Sequence, residues 1–221
     1  MSFWPFPTNL RDELARAADL GPVVEAGAGD GRLSVHLRSL GWAVVSLDHD
    51  PRCDGLDVLA DLRELPFASA SVGVVVFGDV LRHLPSSDRA RAAESCVHCL
   101  APGGRVVVLE DTPVGRDPAE VNYREVLSLL ADIVPGRGAA RRIDRVSREL
   151  RAHLGDPVCR GDAENSTRVD DPLAPVRWLR THHACDRDCR ERLDAIADSI
   201  AEHGMRYGRY SFEVFATGAA A

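Results

Sequence analysis

Short apolar runs alternate with stretches of helical spacing through the first half of the chain. Pro22-Val23-Val24 is a β-type run that ends in a glycine-rich loop. Leu33, His36, Leu37 and Leu40 then recur at helical spacing, and Gly41 stops that helix. Ala43-Val44-Val45-Ser46-Leu47 reads as a second buried strand ending at Asp48, and residues 56–60 as a short third. Residues 72–77, Val-Gly-Val-Val-Val-Phe, are the most apolar strand. A helix from about Ser87 to Leu100 ends at Pro102-Gly103-Gly104, and residues 105–109 form a fifth strand. Runs buried on both faces and separated by helices predict a parallel sheet covered on both sides. Upstream, residues 9–19 predict a helix capped by Asn9, with Asp12 three residues on.

After Asp111 the rhythm changes. Residues 118–133 and 139–154 read as helices. The second carries Ile143, Val146, Leu150 and Leu154 on one face and Arg141, Arg145 and Arg148 on another. The arginine face reads as solvated, with Asp144 and Glu149 as its partners. Residues 155–186 are polar and irregular. An amphipathic helix over 187–203 and an alternating strand over 210–215 close the chain. One domain is expected over 1–221: a core at 22–111, a cap inserted at 112–186, and a C-terminal helix and strand at 187–221.

Composition narrows the partners. The net charge is −7, from 27 basic and 34 acidic residues, which argues against a broad nucleic-acid footprint. Every cationic side chain of the Lys/Arg class is Arg. No stretch approaches the ~18 apolar residues of a membrane span, and the first twenty residues lack the features of a signal peptide. A cytoplasmic protein is expected, with no nucleic-acid or membrane partner, acting as a monomer or homodimer. The six cysteines are expected as free thiols.

The chemistry concentrates in Glu25-Ala26-Gly27-Ala28-Gly29-Asp30-Gly31. A strand, a loop with three glycines and a helix start form a ligand cradle, because backbone N–H groups can approach closely there. A dinucleotide site wants G-x-G-x-x-G, and here the third glycine comes one residue early. The loop resembles the first motif of class I S-adenosylmethionine-dependent methyltransferases. Asp61-Leu62-Arg63-Glu64-Leu65-Pro66-Phe67 resembles the D-x-x-x-L-P-F stretch of the small ubiquinone/menaquinone-type members. Val80-Leu81-Arg82-His83-Leu84 and Leu100-Ala101-Pro102-Gly103-Gly104-Arg105 resemble two further motifs of that family.

The resemblance spans about residues 22–111 and implies a Rossmann-like, seven-stranded, mostly parallel sheet with flanking helices, its last strand antiparallel, and a helical cap after the fifth strand. It implies S-adenosyl-L-methionine as cofactor, held by Glu25, Gly27, Ala28, Gly29, Gly31, Asp48, His49, Asp61, Leu62 and Gly78. Asp48 would take the ribose diol, and Asp61 the adenine amino group with Leu62 against the ring. The sequence departs from the family at Val72, Gly73 and Arg82, where Phe, Asp and His are usual.

Methyl transfer needs alignment of donor and acceptor, and a base only for some acceptors. His83 and Glu110 are the expected catalytic residues; Asp79, Tyr123, His182 and His183 are further base candidates. His182, Cys185 and Cys189 have spacing compatible with a zinc or soft-metalloid site, or with a helix start bearing small apolar thiols; no metal is expected. Cys96 and Cys99 fit core packing rather than redox chemistry. Phe3-Trp4-Pro5-Phe6 reads either as a lid over the cofactor or as a packed terminus. A small-molecule acceptor is expected, since no Asn/Asp-Pro-Pro-Tyr/Phe motif is present. Two other readings stand beside this one: a non-catalytic cofactor-binding or scaffold protein, and an NAD-dependent oxidoreductase. A thiol- or metalloid-directed methyltransferase is a variant suggested by the cysteines.

Overall fold

The computed structural model describes residues 5–112, 114–133 and 143–218. Five parallel strands form its centre: β1 (Val23–Ala26), β2 (Val44–Asp48), β3 (Val58–Leu59), β4 (Val72–Gly78) and β5 (Leu100–Asp111). Two more, β6 (Cys159–Arg168) and β7 (Arg206–Ala216), complete a seven-stranded sheet in the order β3-β2-β1-β4-β5-β7-β6. β7 runs antiparallel to both of its neighbours. The fold is the expected Rossmann-like sheet.

Helices cover both faces. α1 (Thr8–Ala18) and α2 (Arg32–Ser39) pack Leu10, Leu14, Leu33 and Leu37 against Val74, Val76 and Val107. On the other face lie α3 (Ser86–Cys99), α5 (Ile143–Val146) and α6 (Arg148–Leu154), which bury Cys96, Val146 and Leu150 against Val75, Phe77 and Val108. A third core joins α4 (Pro118–Ile133), α7 (Ala174–His182) and α8 (Arg187–His203) through Tyr123, Val126, Leu179, Leu193 and Ile196. Cys96 and Cys99 are fully buried, and burial raises both thiol pKa values, that of Cys99 to about 11.

Several local expectations change. Residues 155–186 are not irregular: they contain β6 and α7. β6 escapes the apolar signal because it alternates half-buried and exposed positions along the sheet edge. The insertion after the fifth strand is therefore mixed. Its α5, α6 and β6 build the sheet and its cover, while α4 and α7 join α8 in the separate cluster. α1 starts at Thr8 with Pro7 in the cap position, and Asn9 Oδ1 instead accepts from the N–H of Leu10 at 3.0 Å. Glu149 pairs with Arg89 at 2.9 Å, not with the arginine stripe, of which Arg141 lies outside the described residues.

Gly73, where the family carries Asp, is a packing requirement. A Cβ there would lie 2.3 Å from the carbonyl oxygen of Ala17, at the end of α1. Phe3 and Trp4 lie outside the described residues. Phe6 packs edge-on against His36, and the Tyr210 hydroxyl donates to the Pro5 carbonyl at 2.8 Å, so this part of the aromatic start is packed on the α1–α2 face.

Candidate active site

Strand order reverses at β1, where β2 lies on one side and β4 on the other. Chain connections leave that point in opposite directions, so a crevice opens at the carboxyl ends of the strands. The glycine-rich loop fills its floor. The N–H groups of Gly27 and Ala28 both donate to the Leu47 carbonyl, at 2.8 and 2.9 Å, which hooks the loop onto β2. Gly27, at φ 82°, passes so close to Val80 that a Cβ would meet its Cγ2 at 2.4 Å. Gly29, at φ 52°, faces open space, so a side chain there would project into the crevice. Its N–H donates to Asp48 Oδ2 at 2.9 Å. The other oxygen of Asp48 accepts from the Asp50 N–H at 3.0 Å and lies 3.1 Å from His49 Nδ1.

Two cavities occupy this crevice. The larger, of about 500 Å³, is lined by Gly27, Gly29, Asp48, His49, Asp61, Leu62, Gly78, Asp79 and His83, among others. Asp61 is held by Arg63, whose Nε lies 2.9 and 2.8 Å from its two oxygens and whose Nη1 reaches Asp88 at 2.9 Å. Hydrogen bonds from Arg63 hold the Asp61 carboxyl below the usual carboxylate range. The smaller cavity, of about 260 Å³, is lined by Glu25, Gly27, Ala28, Asp30, Arg32 and Leu33 from the β1–α2 region, by Gly78 and Asp79 after β4, and by Asp111, Tyr123, Asn165 and Tyr207. Gly27, Gly78 and Asp79 belong to both walls. Glu25 is buried and accepts from the Ser34 hydroxyl; burial pushes its carboxyl up to about 7. Gly31 lines neither cavity: it occupies the cap position of α2 at φ 71° and closes the loop through its N–H to the Ala28 carbonyl.

A buried ionic cluster supports the smaller cavity at Asp79 and Asp111. Asp79 has the rare left-handed backbone at φ 56°, which turns the chain from β4 toward the 3-10 turn Leu81–His83. Asp79 Oδ1 accepts from Arg82 Nη1 at 2.6 Å and from the Asp111 N–H at 2.8 Å. Arg82 also lies 3.6 Å from Glu110. Burial, then the negative charge of Asp79, raises the carboxyls of Glu110 and Asp111 well above the usual range. The Tyr123 hydroxyl donates to Asp111 Oδ2 at 2.5 Å.

The expected catalytic pair is thus divided. His83 lines the larger cavity, with its Nε2 3.5 Å from Arg82 Nε. Glu110, 1% exposed, lines neither cavity, whereas its neighbour Asp111 lines the smaller one. His182 and His183 lie against Trp178, away from both cavities. Cys185 and Cys189 are joined to each other, so they are not the free thiols expected; Cys53, Cys96, Cys99 and Cys159 are free. Among the described residues no three His, Cys, Asp or Glu side chains are grouped to hold a metal. Asn165 and Tyr207 were not legible as site residues. They lie on β6 and β7, and no motif marks them.

Fold and crevice together define a doubly wound α/β domain with a ligand crevice at its topological switch point. Residues 24–108 match the profile of a methyltransferase domain family. A probable S-adenosylmethionine-dependent methyltransferase of Mycolicibacterium smegmatis is 29% identical over 80% of this chain and 80% of its own. A probable S-adenosylmethionine-dependent methyltransferase of Mycobacterium tuberculosis is 32% identical over 50% of this chain and 47% of its own. Among solved structures, an Archaeoglobus fulgidus SAM-dependent methyltransferase superposes with TM-score 0.56 at 12% identity, over 95% of this chain and 91% of that one. Geranyl diphosphate C-methyltransferase of Streptomyces coelicolor, solved with S-adenosyl-L-homocysteine, gives 0.52 at 15% identity, over 94% and 78%. Residues 24–108 thus carry a methyltransferase domain, and the chain is similar to S-adenosylmethionine-dependent methyltransferases over most of its length. Its cofactor is S-adenosyl-L-methionine rather than NAD. Among the described residues no helix is long and apolar enough to cross a membrane.

Proposed function

We propose that the larger cavity holds the nucleoside of S-adenosylmethionine and that the smaller one receives a small-molecule acceptor. The observation that carries this is the wall shared by the two cavities at Gly27, Gly78 and Asp79. A donor lying across it would reach from one cavity into the other.

The residues fit the cofactor. Gly29 leaves space that any side chain would fill, and the Asp48 carboxylate stands beside it to accept from a ribose diol. Leu62 supplies an apolar wall for the base, and Asp61 an acceptor at its edge. Glu25 and the loop backbone face the methionine end. The bound cofactor supplies an electrophilic methyl group on sulfur. The chain's part is to align the acceptor and exclude water; alignment alone supplies up to ~7–11 kcal/mol. Tyr123 on α4, Asn165 on β6 and Tyr207 on β7 give the acceptor side its shape. The segments after β5 therefore choose the substrate.

Crystals grown with S-adenosylhomocysteine test this. The nucleoside is expected in the larger cavity with its sulfur at the shared wall. A nucleoside bound elsewhere overturns the assignment.

A further inference from the structure

Along β6 the positions that face the α1–α2 side are small or apolar until Asn165. Cys159 and Ala163 pack against the core there, Gly161 lies between them, and Asn165 follows at the same spacing. Asn165 is the one fully buried residue of β6, 1% exposed, yet it carries an amide. Its Oδ1 accepts from the Thr167 N–H at 3.2 Å, where the pairing of β6 with β7 shifts register, so Nδ2 is the outer edge of the amide. Opposite stands Gly208, with no side chain to cover it. Nδ2 has no hydrogen-bond partner among the described residues, and it is not sealed in: Asn165 forms part of the smaller cavity's wall. A buried N–H without an acceptor is costly, and an apolar side chain would fill this position without that cost.

The neighbouring groups supply no acceptor. Asp111 Oδ2 takes the Tyr123 hydroxyl, and its Oδ1 is sealed from the cavity beside the Asp79 carboxyl. Arg32 is itself a donor; it pairs with Asp30 at 2.8 Å on the β1–α2 side, and β4, β5 and β7 stand between β1 and β6. The Tyr123 and Tyr207 rings meet edge-on at 5.0 Å and both line the cavity, so a flat apolar body fits beside Asn165.

We infer that the acceptor is a flat, largely apolar molecule bearing a carbonyl or carboxylate oxygen, and that Asn165 Nδ2 selects it by donating to that oxygen. This rests on the smaller cavity being the acceptor site. An ammonium brings no lone pair and leaves the Asn165 N–H unmet. A hydroxyl can accept, but its own proton then needs a partner among carboxyls that are already engaged.

Calorimetry on the full chain loaded with S-adenosylhomocysteine tests the inference with acetophenone, benzoate and benzylamine. Acetophenone presents its oxygen without charge, so attraction to Arg32 does not account for its binding. Acetophenone and benzoate are each expected to bind about tenfold or more tightly than benzylamine, the scale of one unmet buried hydrogen bond. Asn165→Asp keeps the acceptor for the Thr167 N–H and removes only the donor. It is expected to weaken acetophenone by about tenfold and benzoate by about a hundredfold, with S-adenosylhomocysteine affinity within about twofold. If Asn165→Asp fails to fold, Asn165→Leu should show the same loss for acetophenone. Oxygen probes that bind no better than benzylamine, or not at all, overturn the inference. So does a folded variant that keeps full affinity for both, which would leave Asn165 tied only to Thr167, or one that loses the nucleoside equally, which would place Asn165 in the donor site. Failure of the wild type to bind S-adenosylhomocysteine, measured before any probe is added, would instead overturn the donor-site reading. Displacement of the probes by S-adenosylhomocysteine would overturn the acceptor-site reading.

Discussion

The two cavities are built by different means. The larger one is made from short segments no more than 61 positions apart, from Gly27 to Asp88: the loop after β1, the end of β2, Ala60–Arg63 beyond β3, and the turn between β4 and α3. Its main device is backbone conformation, with three glycines at positive φ. The smaller one adds side chains on β5, α4, β6 and β7, which lie as much as 96 positions apart, from Asp111 to Tyr207. Its main device is a buried ionic cluster. On the proposed reading, the cofactor is gripped by local geometry and the substrate is selected by contacts that only folding assembles.

The sharpest way to break this contrast is to unbalance the cluster. Arg82→Met leaves the carboxyls of Asp79, Glu110 and Asp111 without a counter-charge. Breaking a buried pair in this way costs about 3–5 kcal/mol. Urea unfolding should show that loss; a change below about 1 kcal/mol would mean that the cluster is not the acceptor side's support.

Next in size is Glu25, on the wall of the smaller cavity. Its folded value is about 7 against an ordinary 4.5, because it is buried. The native state therefore holds a proton that the unfolded chain releases. The resulting stability is complete below pH 4.5 and is lost as pH rises to about 7. The total is about 3 kcal/mol at 1.36 kcal/mol per pKa unit. Glu25→Gln should remove that component: the difference in unfolding free energy between wild type and variant should vary with pH across this window. A difference independent of pH would refute it.

On the donor side, Asp48→Ala and Gly29→Val should each weaken S-adenosylmethionine binding by on the order of a hundredfold or more, through lost charged hydrogen bonds or a filled crevice. Calorimetry showing unchanged affinity in either variant would sink the site. The smallest expected effect is Tyr123→Phe. It should cost about 1 kcal/mol of stability from one hydrogen bond and leave cofactor affinity within about twofold. A large loss of cofactor binding would erase the distinction between the two ends.

Much of the donor half was legible along the chain. Glu25, Gly27, Gly29, Asp48, Asp61 and Leu62 sit in or beside short motifs, and all of them line one of the two cavities. Glu110 and Asp111 are adjacent acids at the end of β5, and which of them lines a cavity depends on register, which sequence does not give. The β5–β7 pairing sets Glu110 opposite Ser211 and Asp111 opposite Tyr210. Gly73 was explained only by the approach of α1.

Alone, then, the chain determined the parallel core and the glycine cradle. Apolar runs, turn residues and positive-φ glycines act over a few residues and need no distant partner. The tertiary structure decided that polar β6 joins the sheet edge, that Arg82 is enclosed by three acids, and that Asn165 and Tyr207 reach the smaller cavity. Charge balance and burial belong to groups far apart in sequence, and they exist only once the layers have packed.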